Sequence, residues 1–542
     1  MKRTALICLF LLAAGAALRA GTIAARPGWE HDDVLVFTAS AGRPIGEWRD
    51  LEGRWVEAAR WQELVTPRPG VGLAEIARTV PRFGHVHPPL WYWTVHAWTL
   101  AFGVNLWSVP LLNLLLGLAT GTVLYFFARE RLGSGEAALL PVALWAFSPG
   151  AIGVTALDRP YELLTLLTIA LASLVLPSPD RPGPPSAARL LGVAGLSAAG
   201  LLLHYQFVFV YAACAVALLA GGRGNLRRNL TVAGALLAGI VLHPFLFPGF
   251  RLVFAVAGRI SRRAADRGPS FVERLTSPSQ TGQLFFDQSF FAPQWREPWS
   301  LLLALAWLAV LGGLLWAAAA AWLRHRSRTS AGEGPALSPT AVAILFGATI
   351  LASAQAAYVL GLIPPHATTS RYVANVWPFA ALGVAALVRL LPRHREAAGF
   401  AVAALMLTSG VLQVQSSFVF GRRGLEGPGI LAGAEAVVLD NPSTGVVPRV
   451  MALLEPSTPV FVAWRKRLIE EPDTWLGSPP AGARRVAVVS SQYHWDPNAR
   501  DGEAGLVRFL EERMGPPESD GDLLRIGRVR RFDRAGAEAP AR

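Results

Sequence analysis

The sequence predicts an α-helical polytopic membrane protein that ends in a small α/β domain. Three observations carry this. Hydrophobic residues make up 52% of the 542 residues, with a mean hydropathy of +0.38. Apolar runs near the length of a bilayer span recur from residue 4 to residue 418, as expected of a chain that crosses a membrane many times. From about Gly421 the sequence turns mixed and polar, with Pro and Gly, which marks a separate folding unit. The expected division is residues 1–420 as a transmembrane domain and 421–542 as a soluble one.

The formal net charge of +13 comes almost wholly from Arg, since Lys occurs only at Lys2 and Lys466. In a membrane protein such an excess reflects topology and contact with anionic lipid. Membrane lipids are therefore expected partners, and nucleic acid is not. Cys8 and Cys214 both lie in apolar runs, which argues against a disulfide framework or a thiolate metal site.

In chain order, Met1-Lys2-Arg3 and the apolar run to Leu18 read as an uncleaved first span, although the short run and Ala20-Gly21 also fit a signal peptide. Residues 21–106 then form a long extracytoplasmic loop. Within it lies a Trp-rich stretch from Glu30-His31-Asp32-Asp33 to His87-Pro88-Pro89-Leu90-Trp91-Tyr92-Trp93. Loops longer than about 12–15 residues are commonly functional, and this one is taken as the active-site loop. Trp55–Leu64 and Val71–Val80 show near-helical apolar spacing, which suits short interfacial helices.

Basic short connections stay on the cytoplasmic side. Those at 129–131, 181–189, 223–228, 324–328 and 389–395 all do so only if Pro88–Gly103 does not cross. That segment opens with two prolines and is short for a span, so it is expected to lie along the interface and bring His87 back over the site. The spans are then about 4–20, 107–127, 137–156, 160–176, 190–203, 205–220, 230–247, 299–323, 340–362, 372–391 and 397–418, eleven crossings. Both the first loop and the C-terminal domain fall outside the cell membrane.

The loop 248–298 carries seven arginines, Arg251 to Arg296, whose guanidinium groups match phosphate geometry; anionic headgroups are the plainer partner. In the C-terminal region strand-like runs (436–439, 460–463, 485–489, 523–532) alternate with helix-like ones (447–454, 504–514), as in a small α/β domain. Asp520-Gly521-Asp522 reads as a turn.

Chemistry at a membrane face needs a base, a grip on a charged headgroup and room for a lipid chain. Asp32 and Asp33 are adjacent carboxylates beyond the first span, fit to take a proton or to cap a helix. Asp158 and Arg159 are a polar pair between two spans, where charge is costly unless it has a use.

The acidic pair, HPPLWYW, the Asp158-Arg159-Pro160-Tyr161 turn, the His204-Tyr205 break and Ser370-Arg371-Tyr372-Val373 occur in the order seen in GT-C glycosyltransferases. The sequence most resembles the bacterial branch related to protein O-mannosyltransferases and lipid A aminoarabinose transferases, over roughly residues 5–395. The resemblance implies a GT-C fold of about eleven transmembrane helices plus interfacial helices. It also implies inverting transfer of a sugar from a polyprenyl-phosphate carrier to a lipid, glycan or protein acceptor, at the outer face of a bacterial cytoplasmic membrane.

By the same resemblance Asp32 is the base, Asp33 its neighbouring candidate and Asp158 the second-loop acid. His87, Arg159, Tyr161, His204, Arg296, Arg371 and Tyr372 bind substrate, with Arg371 and Tyr372 at the lipid phosphate. Relatives often place the acid two residues before the Arg; here Leu157 holds that place. No cofactor is implied, and a divalent cation beside the acids is allowed but not demanded. A transporter or flippase, or a polymerase or ligase of lipid-linked oligosaccharides, is the alternative; a transporter would carry ionisable residues near mid-membrane in paired halves.

Overall fold

The computed structural model describes residues 2–83, 87–176, 184–220, 226–253, 338–362, 370–391, 394–423, 427–477, 483–492, 503–523 and 526–533, with a few isolated positions besides. The chain forms two compact units. The first comprises Met1–Ala24, Gly84–Trp91 and Pro110–Ser416; the second comprises Ala25–Phe83, Tyr92–Val109 and Ser417–Arg542.

The first unit is a bundle of helices. Among the described residues five helices are long and apolar enough to cross a membrane: Lys2–Ala24, Ser108–Leu132, Leu226–Leu246, Pro339–Val359 and Arg395–Val419. Tyr161–Val175, Ala187–Leu203 and Phe207–Ala220 are shorter apolar helices beside them. These coincide with the expected spans, and the protein is a multi-pass membrane protein. The expected span 299–323 and nearly all of the loop 248–298, Arg296 included, lie outside the described residues.

The expected span 137–156 is two helices, Leu139–Phe147 and Pro149–Thr155. Ser148 is extended (φ −60°, ψ 124°) because Pro149 disfavours a helical residue before it. The Ser148 hydroxyl then caps the second helix by accepting from the Ala151 amide at 3.4 Å. Small residues let the backbones approach, as is usual between helices in lipid. A Cβ added to Gly15 would stand 2.8 Å from Ala146, and one on Gly410 2.5 Å from the Phe147 carbonyl oxygen.

The second unit is built on a six-stranded sheet of order β1-β3-β2-β4-β6-β5. Its strands are β1 (Trp55–Glu57), β2 (Ala436–Leu439), β3 (Pro459–Val462), β4 (Arg485–Ser491), β5 (Ser519–Leu523) and β6 (Gly527–Asp533). β2 runs parallel to β3 on one side and to β4 on the other, and the remaining pairs are antiparallel. β2 is buried along its whole length, as a parallel strand covered on both faces must be. Val438, Phe461, Val488 and Phe532 form its core with Leu468, Trp475, Leu506 and Leu510.

Three expectations need correction in this unit. Trp55–Leu64 is not one helix: Trp55–Glu57 is an edge strand paired with β3, and only Ala58–Glu63 is helical. The Trp55 ring lies 5.5 Å from that of Phe461, and its Nε1 donates to the Trp475 carbonyl at 3.3 Å. The run 523–532 holds the last residue of β5 and most of β6, the two being antiparallel partners, rather than one unbroken strand. Asp520-Gly521-Asp522 is strand, not turn, since Asp520 pairs across the ladder with Arg530 and accepts from Arg528 Nε at 2.8 Å, and opposite charges facing each other favour strand pairing.

Candidate functional site

The site residues fall into two sets, one in each unit. In the second unit Asp32 and Asp33 open the helix His31–Ser40, whose N-cap is Glu30. Asp33 is fully buried and committed to structure. Its Oδ2 accepts from the Glu30 amide at 2.8 Å, half of a capping box, and from Arg26 Nη2 at 2.5 Å. Arg26 in turn donates to the Leu106 carbonyl at 3.0 Å. A carboxylate at the first turn of a helix also suits the positive end of its dipole. Asp32, on the adjacent position, is half-buried.

Beside this loop the second unit holds a cavity of about 580 Å³, bordered by Trp29, Gln62, Asn105, Trp107, Arg449 and Leu453 among others. Two tryptophans, two amides and one guanidinium give it a mixed character, suited to a polar ligand that offers an apolar face.

In the first unit, His87, Arg159, Tyr161 and His204 come together from three separate segments. The His204 ring lies 4.8 Å from that of His87 and 6.3 Å from that of Tyr161. His204 ends the helix Ala187–Leu203, and its Nδ1 accepts the Gln206 amide at 3.2 Å. A neutral imidazole accepting at Nδ1 carries its proton on Nε2, where it is a donor. Burial, and then the charge of Arg159, push His204 down to about 4, so it is neutral near pH 7.

The Asp158 turn is clamped by its backbone. Trp91, from HPPLWYW, donates to the Asp158 carbonyl at 3.2 Å. Asn113 Nδ2 donates to the carbonyls of Leu157 at 2.5 Å and Arg159 at 3.4 Å. Asp158, Arg159 and Tyr161 are all buried. Half-buried Arg371 lies with Tyr372 in the 3-10 turn Ser370–Val376, which is joined to the helix Tyr161–Val175 by Asn375 Nδ2 donating to Thr168 Oγ1 at 3.4 Å.

Sequence reasoning missed a buried polar group one turn further on. Glu162 Oε1 accepts from Thr155 Oγ1 at 2.7 Å and lies 4.0 Å from Arg19 Nε. Arg19 also donates to the Ala146 carbonyl at 2.8 Å and to Thr155 Oγ1 at 3.2 Å. An Arg closing one apolar run and a Glu opening another were the available signal, because ionisable residues in such segments are rarely idle. Asn113 gave none. Among the described residues no three His, Cys, Asp or Glu side chains stand together as a metal site.

With that geometry in view, residues 86–247 match the model of the dolichyl-phosphate-mannose-protein mannosyltransferase family. That family belongs to the GT-C glycosyltransferases, the group to which the motif order points, and the matched stretch contains His87, Asp158, Arg159, Tyr161 and His204. The chain is also similar to ArnT from Cupriavidus metallidurans. The crystal structure bound to undecaprenyl phosphate shares 13% identity and a TM-score of 0.48, covering 94% of this chain and 99% of that one. The apo structure shares 13% identity and a TM-score of 0.48, covering 91% and 97%. No curated protein sequence matches the chain.

Proposed function

We propose that the protein is an inverting glycosyltransferase that moves a sugar from a polyprenyl-phosphate carrier to an acceptor at the outer face of the bacterial cytoplasmic membrane. The observation that carries this reading is the convergence of His87, Arg159, Tyr161 and His204 inside the stretch that matches the mannosyltransferase family. An always-charged guanidinium beside a neutral imidazole donor is suited to a phosphate whose negative charge grows as it leaves.

The reaction balances with the residues in these roles. The acceptor hydroxyl oxygen forms a bond to the anomeric carbon as the bond from that carbon to the phosphate oxygen breaks. Its electron pair leaves on the polyprenyl phosphate, and the hydroxyl proton passes to Asp32. Arg159, His204 and Arg371 hold the phosphate. Asp33 shapes the loop through Arg26 and Glu30. The cavity beside Trp29 offers space for an acceptor.

The buried Arg19 and Glu162 bear on the transporter alternative. Arg19 lies five residues from the end of its helix, Thr155 ends a second helix and Glu162 sits one residue into a third. At about 1.5 Å per residue these charges stand near helix ends, whereas a transport site would sit near mid-membrane. The test is sugar transfer by membranes containing the full chain, supplied with polyprenyl-phosphate sugars and followed by release of polyprenyl phosphate. Transfer that is lost in Asp32→Asn at equal protein level supports the reading. Full activity in that variant, and in the Asp33 and Glu30 variants, would remove it.

A further inference from the structure

In an open α/β sheet the functional crevice lies beyond the carboxyl ends of the parallel strands, where successive connections leave to opposite sides. Here that point is the end of β2, which has β3 on one side and β4 on the other. The loop that leaves it, Asp440-Asn441-Pro442-Ser443-Thr444-Gly445-Val446, is firmly held. Asp440 is buried, and its Oδ1 accepts the Ser491 amide at 2.7 Å while its Oδ2 accepts from Arg465 Nε at 2.6 Å. Arg465 Nη2 also donates to the Ser491 carbonyl at 3.0 Å, and Asn441 Oδ1 accepts the Ser443 amide at 2.9 Å.

What rests on this loop is the start of the first loop of the chain. The His31 ring occupies the space where a Cβ on Gly445 would be. Gly445 has an ordinary backbone, since it is not among the glycines with positive φ. Its missing side chain therefore serves close approach rather than an unusual turn. Arg449, in the helix Val447–Met451 that follows, donates from Nε to the Trp29 carbonyl at 2.8 Å. Gln62 donates to the Met451 and Leu454 carbonyls at 2.9 and 3.1 Å, and β1 joins the same sheet. Trp29 and His31, the residues on either side of Glu30 and just before Asp32, are thus gripped from the C-terminal sequence.

We propose that the loop and helix after β2 are the positioning element for the base: Gly445 seats His31, Arg449 holds the Trp29 carbonyl, and together they set the place of Asp32. This inference rests on the glycosyltransferase reading above. Gly445 is assigned no contact with substrate; Arg449 borders the cavity beside Trp29, and the role given to it here is its hold on the Trp29 carbonyl.

The experiment uses the full chain in membranes and measures kcat, the KM for donor, and the pH dependence of kcat. Transfer by the wild-type chain decides the functional reading, and only the variants decide this inference. Because small displacements of reacting groups can cost about 10²-fold, Gly445→Ala is expected to lower kcat by about that factor, with donor KM unchanged and the acid limb of the kcat profile displaced. Arg449→Ala should lower kcat about tenfold, and Arg449→Lys, whose ammonium can still donate to one carbonyl, should restore most of it. Unchanged kcat and pH profile in Arg449→Ala would overturn the proposal, as would an Arg449→Lys variant that is as slow as Arg449→Ala. The Arg449 pair decides the matter even if Gly445→Ala does not accumulate as folded protein.

Discussion

The two acidic segments of this protein are held in opposite ways. At Glu30–Asp33 the carboxylates begin a helix in the second unit. There Asp33 is locked by an amide and by Arg26, while its neighbour Asp32 stays half-buried. At Asp158–Glu162, in the first unit, every charged side chain is buried, and the turn is fixed through its carbonyls by Trp91 and Asn113. In the proposed roles, a base at Asp32 must exchange a proton with an incoming hydroxyl, and partial exposure allows it. The proposed phosphate site gains from donors fixed in advance in a water-poor setting, because they need no reorganisation when charge develops. Adjacent acids in sequence are therefore not interchangeable, and neither are the two acidic segments.

The largest expected effect divides Asp32 from Asp33. Asp32→Asn should lower kcat by about 10²–10⁴-fold, the usual contribution of a positioned base, with the thermal unfolding midpoint kept. Asp33→Ala should instead cost about 3–5 kcal/mol of stability, because it breaks a mostly buried ion pair with Arg26 and removes the acceptor of the Glu30 amide. Calorimetry or thermal scanning of the two variants in detergent separates them; equal destabilisation would erase the distinction.

A second test addresses the phosphate. Arg371→Ala should weaken donor binding by about 1.5–3 kcal/mol, the range for a hydrogen bond to a charged group. An unchanged apparent donor affinity would take Arg371 out of that site. Asn113→Ala should cost about 1–3 kcal/mol by leaving the Leu157 and Arg159 carbonyls without their donor, and it should raise donor KM more than it lowers kcat. The reverse pattern would mean that the clamp acts on the chemical step.

The smallest effect is a pH dependence. His204 titrates near 4 in the folded protein, below its ordinary 6.5. Between those values the unfolded chain binds the extra proton and the folded chain does not. The stabilisation is complete above about pH 6.5 and is lost as the pH falls toward about 4. His204→Gln should flatten that part of the stability curve. Persistence of the same acid loss would assign it to other groups.

Much of the first unit was legible because lipid imposes a simple rule: backbone groups must be satisfied inside each span, so apolar length reports helices directly. The break at Ser148–Pro149 was also written in the sequence, although the apolar run concealed it. His87, Arg159, Tyr161 and His204 could be named from motifs, but their meeting could not. Rings 4.8 Å and 6.3 Å apart come from segments far apart in sequence, and periodicity carries no information on such pairs. Asn113 looked like an ordinary member of an apolar helix, and Glu162 stood out only as a charge in one; packing showed the polar groups they serve.

The second unit was legible more unevenly. Alternation and apolar runs marked β2, β3 and β4, β2 buried throughout and the other two from their second residue on. The three residues Trp55–Glu57 are too short for a pattern, and the partner that makes them a strand lies some 400 residues away in the chain. Asp520 and Asp522 looked like turn residues because their local propensity is poor for strand, and the facing arginines of β6 override it.

By itself, then, the sequence determined that this is a multi-pass membrane protein with an acidic, Trp-rich first loop and an α/β region after it. Hydropathy and motif order are local properties that survive without any knowledge of contacts. Tertiary structure alone decided which of two adjacent aspartates is tied into a cap, which basic and aromatic side chains meet, and that residues 55–57 belong to the C-terminal sheet. Those outcomes depend on distance in space between segments remote in sequence, which only the packed chain defines.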